Sequence, residues 1–382
     1  MKPRDFQLEV FFEQYEFSAP YLLTQSDCET ISIASLLAME SGSPEAFLSQ
    51  RLGYTQVTGS PELKEEIAAL YTQHGPEEVI VHTGAQEAIF NFMHIFLEPG
   101  DHVITQFPTY QSLYSVAEDI GCVVDKWQIR QTDTGWTMDL DELEELIRPE
   151  TKLLCINNPN NPTGYIFSAD QMKRIAEITQ KHSIFVFCDE VYKGLELDGI
   201  SRPWFADLSD HALSLGVMSK AYGLPGLRIG WIVTGNKVVL DKMRKMKHFT
   251  SICSSGPSEY LATIALKHGE KILKKSLEHI QKNLAISDLF FERYQHLFRY
   301  NRQQAGPIAF HEMKIDHSID VFCNQLVKDS GVLLLPGNVY DYTGKYFRMG
   351  YGRADFEENL SRFDAYLINH LYQGEINENR NQ

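Results

Sequence analysis

Short runs of apolar and β-branched residues alternate with amphipathic stretches between about residues 61 and 250. Two of the runs, LLCIN and SIFVFCDE, are apolar at consecutive positions, as strands covered on both faces tend to be. This alternation predicts an α/β fold with a mostly parallel sheet of about seven strands. The predicted strands begin near Val79, His102, Cys122, Lys152, Ile184, Leu213 and Ile229.

The pattern changes after Ser255. A long helix-like segment extends from Pro257 toward Tyr300, and short strands and a last amphipathic helix follow it. These elements indicate a second, smaller α+β unit that also takes in the start of the chain. We therefore predict a large α/β domain over residues 42–270 and a small domain formed by residues 1–41 and 271–382.

The charge balance excludes some partners. The 382 residues include 35 Lys and Arg against 51 Asp and Glu, a formal net charge of −16. So acidic a surface disfavours binding to nucleic acid or anionic membranes, and no apolar run approaches the roughly 20 residues that span a bilayer. The opening segment lacks the apolar core of a secretion signal, and the six cysteines are scattered. We expect a cytoplasmic protein without a metal site.

The segment VMSKAYGLPGLRIGW carries the first chemical signal. Lys220 follows a strand-like run and lies in a glycine-bounded loop, which suits an amine that must become neutral and nucleophilic. Ser219 and Arg228 could bind a dianionic phosphate from the same loop. A surface lysine beside a turn and a strand-end ion pair are the plainer alternatives.

A second loop, in HTGAQEAIF, leads from a strand into a helix through Gly84, Ala85 and Gln86. The free N–H groups and the positive dipole at such a helix start favour an anion. A small-residue loop is a weak signal alone. It gains weight because Ser219 and Arg228 supply a second phosphate-binding element.

Polar residues follow two more strands. Asn161 lies in the turn NNPNNPTG, and Asp189 and Tyr192 lie in FCDEVY. Ligands bind at the carboxyl ends of strands in α/β sheets, where a buried Asp189 would need a cationic partner. A structural turn, a helix cap and a core tyrosine are equally ordinary explanations.

Two residues complete the set of predicted site residues. Tyr110, in FPTYQSLY, follows a strand, where its ring could stack on a planar ligand or fill the core. Arg348, in YFRMGYG, could clamp a carboxylate with its guanidinium or form a surface ion pair.

Together these motifs closely resemble the class I/II aminotransferases, which are fold type I enzymes that depend on pyridoxal 5′-phosphate (PLP). SKAYGLPGLRIG, preceded by NPTG and DEVY, carries most of the resemblance, which extends from about Tyr54 to Arg348. The resemblance implies a large PLP-binding domain, a smaller α+β domain and a homodimer with a shared active site. It also implies an amino acid and a 2-oxo acid as substrates.

The resemblance assigns roles to residues of this chain. Lys220 would form the Schiff base with PLP, Asp189 would face the pyridine nitrogen, and Tyr110 would stack on the ring. Asn161 and Tyr192 would hold the phenolic oxygen, and Arg348 would bind the substrate carboxylate together with Asn161. The phosphate would be held by Gly84, Ala85, Gln86, Ser219 and Arg228, with Tyr54 from a second subunit.

The chain departs from the family pattern in three places. Val217 stands where Gly or Ser is usual, so one contact to the phosphate is in doubt, and the N-terminal region lacks the Gly-rich substrate-side segment. HFTSICSS, between Lys247 and Gly256, lacks the arginine of dicarboxylate-specific members. Phe249, Ile252 and Tyr54 favour a neutral or aromatic substrate side chain.

Three functions stay open. The first is an aminotransferase acting on a neutral or aromatic amino acid. The second is a PLP-dependent lyase or cyclase, because LSLGVMSKAYGLPGLRIGW and TYQSLY also resemble the capreomycidine synthase branch. The third is a non-catalytic PLP-binding module, although the acidic chain has no spare length for a DNA-binding domain.

Overall fold

The structure is a computed structural model that describes residues 4–133, 135–314 and 316–372. The outer ends of the predicted small domain, residues 1–3 and 373–382, lie outside the described residues. The helices are α1 Gln7–Tyr15, α2 Ile33–Leu37, α3 Ser43–Leu48, α4 Pro61–Ala68, α5 Gly84–Phe96, α6 Ser112–Ile120, α7 Leu140–Leu146, α8 Ala169–Lys181, α9 Lys237–Lys247, α10 Gly256–Lys267, α11 Gly269–Arg293, α12 Ile319–Ser330 and α13 Phe356–Leu367.

The strands include the seven that the sequence predicted between about residues 79 and 233, in the predicted order. They are β1 Tyr21–Leu22, β2 Val79–His82, β3 His102–Phe107, β4 Val123–Gln128, β5 Arg130–Thr132, β6 Gly135–Thr137, β7 Thr151–Asn157, β8 Phe185–Asp189, β9 Ala212–Val217, β10 Gly230–Val233, β11 Phe298–Arg299, β12 Ile308–Met313, β13 Val332–Leu333, β14 Leu335–Pro336 and β15 Tyr346–Gly350. Within the described part of the chain, no helix is both long enough and apolar enough to cross a bilayer.

The central sheet has seven strands in the order β2-β10-β9-β8-β7-β3-β4. The pairs β9–β8, β8–β7, β7–β3 and β3–β4 are parallel, whereas β10 is antiparallel to both of its neighbours. The predicted α/β fold with a mostly parallel sheet of this size is therefore confirmed.

Alternate residues of β8 show why its sequence is apolar throughout. Phe185 and Phe187 face Phe92 of α5, with ring centroids 5.7 and 4.9 Å from the Phe92 ring. Val186 and Cys188 belong to the core on the opposite side of the sheet. Because helices cover both faces, neither set of side chains can be polar.

The C-terminal part forms a second sheet, of four strands, in the order β11-β12-β15-β14. The predicted helix toward Tyr300 was wrong at its end: α11 stops at Arg293, because Phe298 and Arg299 pair with Met313 and Glu312 as strand β11. β1 pairs in parallel with β13 and so joins the N-terminal segment to the C-terminal part. The domain boundaries themselves stay a prediction.

The N-terminal segment also packs against the loop that follows β9. The Cys28 N–H donates to the Lys220 carbonyl oxygen over 3.1 Å. Gly223, with φ +65°, lies so near this segment that a Cβ would overlap the Glu29 carbonyl oxygen. A glycine at this position therefore lets residues 28 and 29 rest directly on the Lys220 loop.

Candidate active site

One edge of the central sheet gathers most of the predicted site residues. Asn157 and Asp189 are register partners at the ends of β7 and β8, and Lys220 comes three residues after the end of β9. Since β10 is antiparallel to β9, Arg228 just before its start reaches the same edge. The strand pairing therefore places a lysine, an arginine and a carboxyl side by side.

A cavity of about 650 Å³ opens at this edge. Asp27 and Arg353 line it as an ion pair, with 2.8 Å between Arg353 Nη2 and Asp27 Oδ2. The predicted residues that line it are Ala85, Gln86, Tyr110, Asn161, Asp189, Tyr192, Ser219, Lys220, Arg228 and Arg348.

The Lys220 amine is positioned by the N-terminal segment. Its Nζ donates a hydrogen bond of 2.8 Å to Ser26 Oγ. Burial lowers the pKa of Lys220, although the carboxylates of Asp27, Glu9 and Asp189 act in the opposite direction. A lowered pKa enlarges the fraction of neutral amine, the form that can attack a carbonyl carbon or accept a proton.

Asp189 is a carboxyl group held in the protein interior. Its side chain is 4% exposed, and burial raises its pKa to about 7, against a hydrogen bond from the Val191 N–H and the charge of Lys220. Among the described residues none forms a direct ion pair with it. A cationic group placed against this carboxyl would restore its ionised form.

Arg228 lies against the start of α5. Gly84 opens the helix with φ +79°, and a Cβ there would stand 2.5 Å from Arg228 Nη2. Only glycine therefore lets the guanidinium approach the first turn, where the N–H groups of Ala85 and Gln86 have no helical acceptor. The positive end of the α5 dipole and the Arg228 guanidinium together favour the binding of an anion.

A hydrogen-bonded network holds Arg348 in the wall of the cavity. Asn161 Oδ1 accepts from Tyr340 Oη at 2.7 Å and from Arg348 Nη1 at 3.3 Å. Arg348 Nη2 donates to the Thr24 carbonyl oxygen at 2.6 Å, whereas Nε is buried without a partner. Because an unsatisfied buried donor is unfavourable, Arg348 favours an anionic ligand.

The family model for aminotransferase class I and II matches residues 37–362. The chain belongs to this family. The predicted enzyme and its predicted family are thereby confirmed.

Individual family members share most of their length with this chain. A PLP-dependent aminotransferase from Streptococcus suis superposes with a TM-score of 0.91 and 33% identity, covering 97% of this chain and 99% of that chain. A probable aspartate/prephenate aminotransferase from Rickettsia bellii is 30% identical, over 81% of this chain and 83% of the relative. Capreomycidine synthase from Streptomyces vinaceus is 25% identical, over 95% and 94%. The predicted cofactor, PLP, is confirmed by these matches.

The residues present fit PLP. Gly84 leaves a cradle beside Arg228 that suits a phosphate, and the raised pKa of Asp189 marks a buried carboxyl that lacks a cation. A protonated pyridine nitrogen is such a cation. The neutral form of Lys220, in the same cavity, suits reaction with an aldehyde.

Several cavity residues were not predicted. The cavity is lined by Leu8, Glu9 and Phe12 of the N-terminal helix α1 and by its C-cap residue Glu16. Ser26 approaches Lys220 from the segment after the helix. The spacing of Leu8 and Phe12, one helical turn apart, was the available signal for an amphipathic face. No feature of the neighbouring sequence indicated which part of the protein that face covers.

Tyr54 lies outside the cavity in this chain. Its side chain is 92% exposed and, like Phe249 at 86%, belongs to no described core cluster. The hydrogen bond from Thr55 Oγ1 to the Ser254 carbonyl oxygen, 2.8 Å long, joins the two segments that carry these side chains. The predicted crossing of Tyr54 into a second subunit stays a prediction.

Replacing Asp189 with Asn should remove a pH dependence from the stability of the apoprotein. The native state retains a proton up to a pKa of about 7, whereas an unfolded chain loses it near 3.8. Stability from this group is full below the unfolded value and is lost as the pH rises toward the folded one. The free energy of unfolding should fall by at most roughly 1.4 kcal/mol per pH unit in that window.

Urea unfolding of the wild type and Asp189→Asn at about pH 5 and about pH 7.5 measures this effect. The variant should gain stability relative to the wild type at the higher pH. Asp170→Asn, at an exposed position of α8, is the control. A difference between wild type and Asp189→Asn that does not change with pH contradicts the assigned protonation.

Proposed function

We propose that this enzyme transfers the amino group of an amino acid to a 2-oxo acid. The observation that carries the proposal is the joint lining of one cavity by Lys220, Asp189 and Arg348. A nucleophilic amine, a buried carboxyl and a guanidinium with one unpaired N–H are the groups that this reaction needs. The proposal includes the predicted domains: residues 42–270 supply Lys220 and Asp189, and residues 1–41 with 271–382 supply Arg348.

In the proposed mechanism PLP, when bound, supplies an electron-accepting ring. Arg348 binds the substrate α-carboxylate, since its Nε lacks a partner and its other nitrogens are fixed. The Lys220 amine takes the proton from the substrate Cα and later returns it as an acid. Ser26 Oγ accepts a hydrogen bond from this amine and so orients it.

The remaining predicted residues bind the cofactor in this proposal. Asp189 keeps a proton at the ring nitrogen, and burial raises the pKa of Tyr192, so its hydroxyl stays a neutral donor toward the phenolic oxygen. Asn161 binds the phenolic oxygen together with Tyr192 and the substrate carboxylate together with Arg348. Tyr110 stacks on the ring. The proposed phosphate-binding residues are Gly84, Ala85, Gln86, Ser219 and Arg228, with Tyr54 from a second copy.

The substrate side chain is not an acidic one in this proposal. Arg353 lines the cavity but is paired with Asp27 and lies 3.8 Å from Glu29. The neutral or aromatic preference expected from Tyr54, Phe249 and Ile252 stays a prediction. Those three side chains are exposed and do not line the cavity of their own chain.

A PLP-dependent lyase or cyclase is the second candidate. Capreomycidine synthase matches over 95% of this chain, a larger share than the Rickettsia aminotransferase covers. Both reactions begin when Lys220 removes the same Cα proton, so the geometry of these residues supports either. Transamination comes first because the more identical of these relatives, at 30% and 33%, carry that activity in their names.

Purified holoenzyme mixed with single amino acids, with and without a 2-oxo acid, tests the proposal. We expect a keto acid product and a change in cofactor absorbance, with sustained turnover only when the 2-oxo acid is present. Mass spectrometry identifies the products, and Lys220→Ala serves as the inactive control. Ammonia or a cyclic product from one amino acid alone contradicts transamination, and an unchanged spectrum with every amino acid favours a non-catalytic module.

We also propose a homodimer in which Tyr54 of each copy completes the other copy's site. The exposed apolar side chains near it, Leu48, Leu52 and Phe249, support a covering partner. The predicted cytoplasmic location stays a prediction.

Hybrid dimers test the shared site. Lys220→Ala subunits mixed with Tyr54→Ala subunits should form one intact site per hybrid, because the Tyr54→Ala subunit would receive Tyr54 from its partner. The hybrids are expected to bind PLP at that site as tightly as the wild type, measured by fluorescence titration. Weak binding equal to that of the Tyr54→Ala homodimer would show that Tyr54 serves its own chain.

A further inference from the structure

Helix α1 presents an acidic face to the active-site cavity. Leu8, Glu9, Phe12 and the C-cap residue Glu16 all line the cavity. Their spacing of three, four and seven residues places them on one side of a helix. Glu13, between them in sequence, is exposed and does not line the cavity. Glu9 and Glu16 therefore face the cavity, whereas Glu13 faces away from it.

Glu16 is the carboxylate in this cavity that lacks a partner. Within the described residues its side chain makes no hydrogen bond and no ion pair, whereas Glu9 accepts from Tyr110 Oη at 3.2 Å. Asp27 is bound by Arg353 through Nε and Nη2. Glu16 is only half-buried, so its carboxylate remains available to bind a cationic group of a ligand in the cavity.

The electrostatics around Glu16 agree with this arrangement. Burial raises the pKa of Glu16, and the charges of Glu9 and Asp27 raise it further. Lys220 and Arg348 act in the opposite direction. In the proposed reaction Lys220 acts at the cofactor and Arg348 binds the substrate carboxylate. Neither cation would therefore pair with Glu16 during turnover.

Arg348 provides an independent sign of a ligand in the cavity. Its side chain is 1% exposed, and its Nε is buried without a hydrogen-bond partner. The Phe12 ring lies over it, with 5.7 Å from the ring centroid to Arg348 Cζ. An amino acid whose carboxylate rests on Arg348 therefore begins beside Phe12, about one helical turn from Glu16.

We infer that Glu16, supported by Glu9, selects an amino acid with a cationic side chain as the substrate of this site. The inference rests on the proposed function. It differs from the neutral or aromatic preference that the sequence favoured, and the experiment below decides between the two. The apolar stem of such a substrate would pack on Phe12 and Leu8, and its terminal ammonium or guanidinium would bind the Glu16 carboxylate.

Paired substrates of similar shape, one with a cationic and one with a neutral side chain, test the inference. Lysine is compared with norleucine, and arginine with citrulline, in the wild-type holoenzyme and in Glu16→Gln. We expect the wild type to have the larger kcat/KM for the charged member of a pair. In Glu16→Gln the ratio of charged to neutral kcat/KM should fall at least tenfold.

Matched variants on α1 provide the controls. Glu13→Gln removes the same charge from the exposed side of the helix and should leave the ratio unchanged. Glu9→Gln should lower the ratio by a smaller factor than Glu16→Gln, and Glu16→Asp should retain part of it. The inference is overturned if the wild type has the larger kcat/KM for the neutral substrates. It is also overturned if Glu16→Gln lowers kcat/KM for the charged and neutral substrates by the same factor.

Calorimetric binding of the same amino acids separates this inference from the proposed function. If no amino acid is converted but lysine binds more tightly than norleucine in a Glu16-dependent manner, the proposed reaction is wrong and only the selectivity of the site for a cationic side chain stands. If neutral amino acids are transaminated and cationic ones neither bind nor react, the reaction stands and the inference is wrong.

Discussion

A buried carboxyl group at the end of β8 is the constraint on which the site depends. Asp189 is nearly inaccessible and forms no direct ion pair among the described residues, so burial raises its pKa to about 7. A fold gains nothing in stability from such a group unless a ligand supplies its counterion. In the proposed function, the protonated ring nitrogen of PLP is this counterion.

The same burial acts on Lys220 in the opposite direction. It lowers the pKa of the amine, while it raises that of Asp189, and each group moderates the shift of the other. The two pKa values are thereby brought closer together. Groups whose pKa values move toward neutral pH are suited to taking up and releasing protons. Burial at this edge of the sheet is therefore the common cause of both pKa shifts, that of Asp189 and that of Lys220.

The sequence predicted the central sheet well because its strands are covered on both faces. Apolar residues at every position, as in Phe185–Cys188, leave few alternatives, and polar residues directly after such strands indicate a site. The roles of those residues, the domain boundaries and the dimer stay predictions. The helix end at Arg293 was missed, since the pairing of Phe298 with Met313 depends on a strand far along the chain.

What the sequence could not supply are contacts between distant segments. Tyr340 reaches Asn161 across 179 positions, and Ser26 reaches Lys220 across 194. Neither short segment carries a motif of its own. Tertiary packing likewise places the acidic face of α1 over the cavity. The substrate side chain that we infer for this site depends on that placement.

The protonation state of the cofactor's ring nitrogen shows whether the buried Asp189 carboxyl acts as its counterion. PLP labelled with ¹⁵N in the ring, bound to the purified protein, reports this by its chemical shift in nuclear magnetic resonance. We expect a protonated nitrogen at neutral pH and a change in its chemical shift when Asp189 is replaced by Ala. An unprotonated nitrogen, or a shift that ignores this replacement, would contradict this expectation.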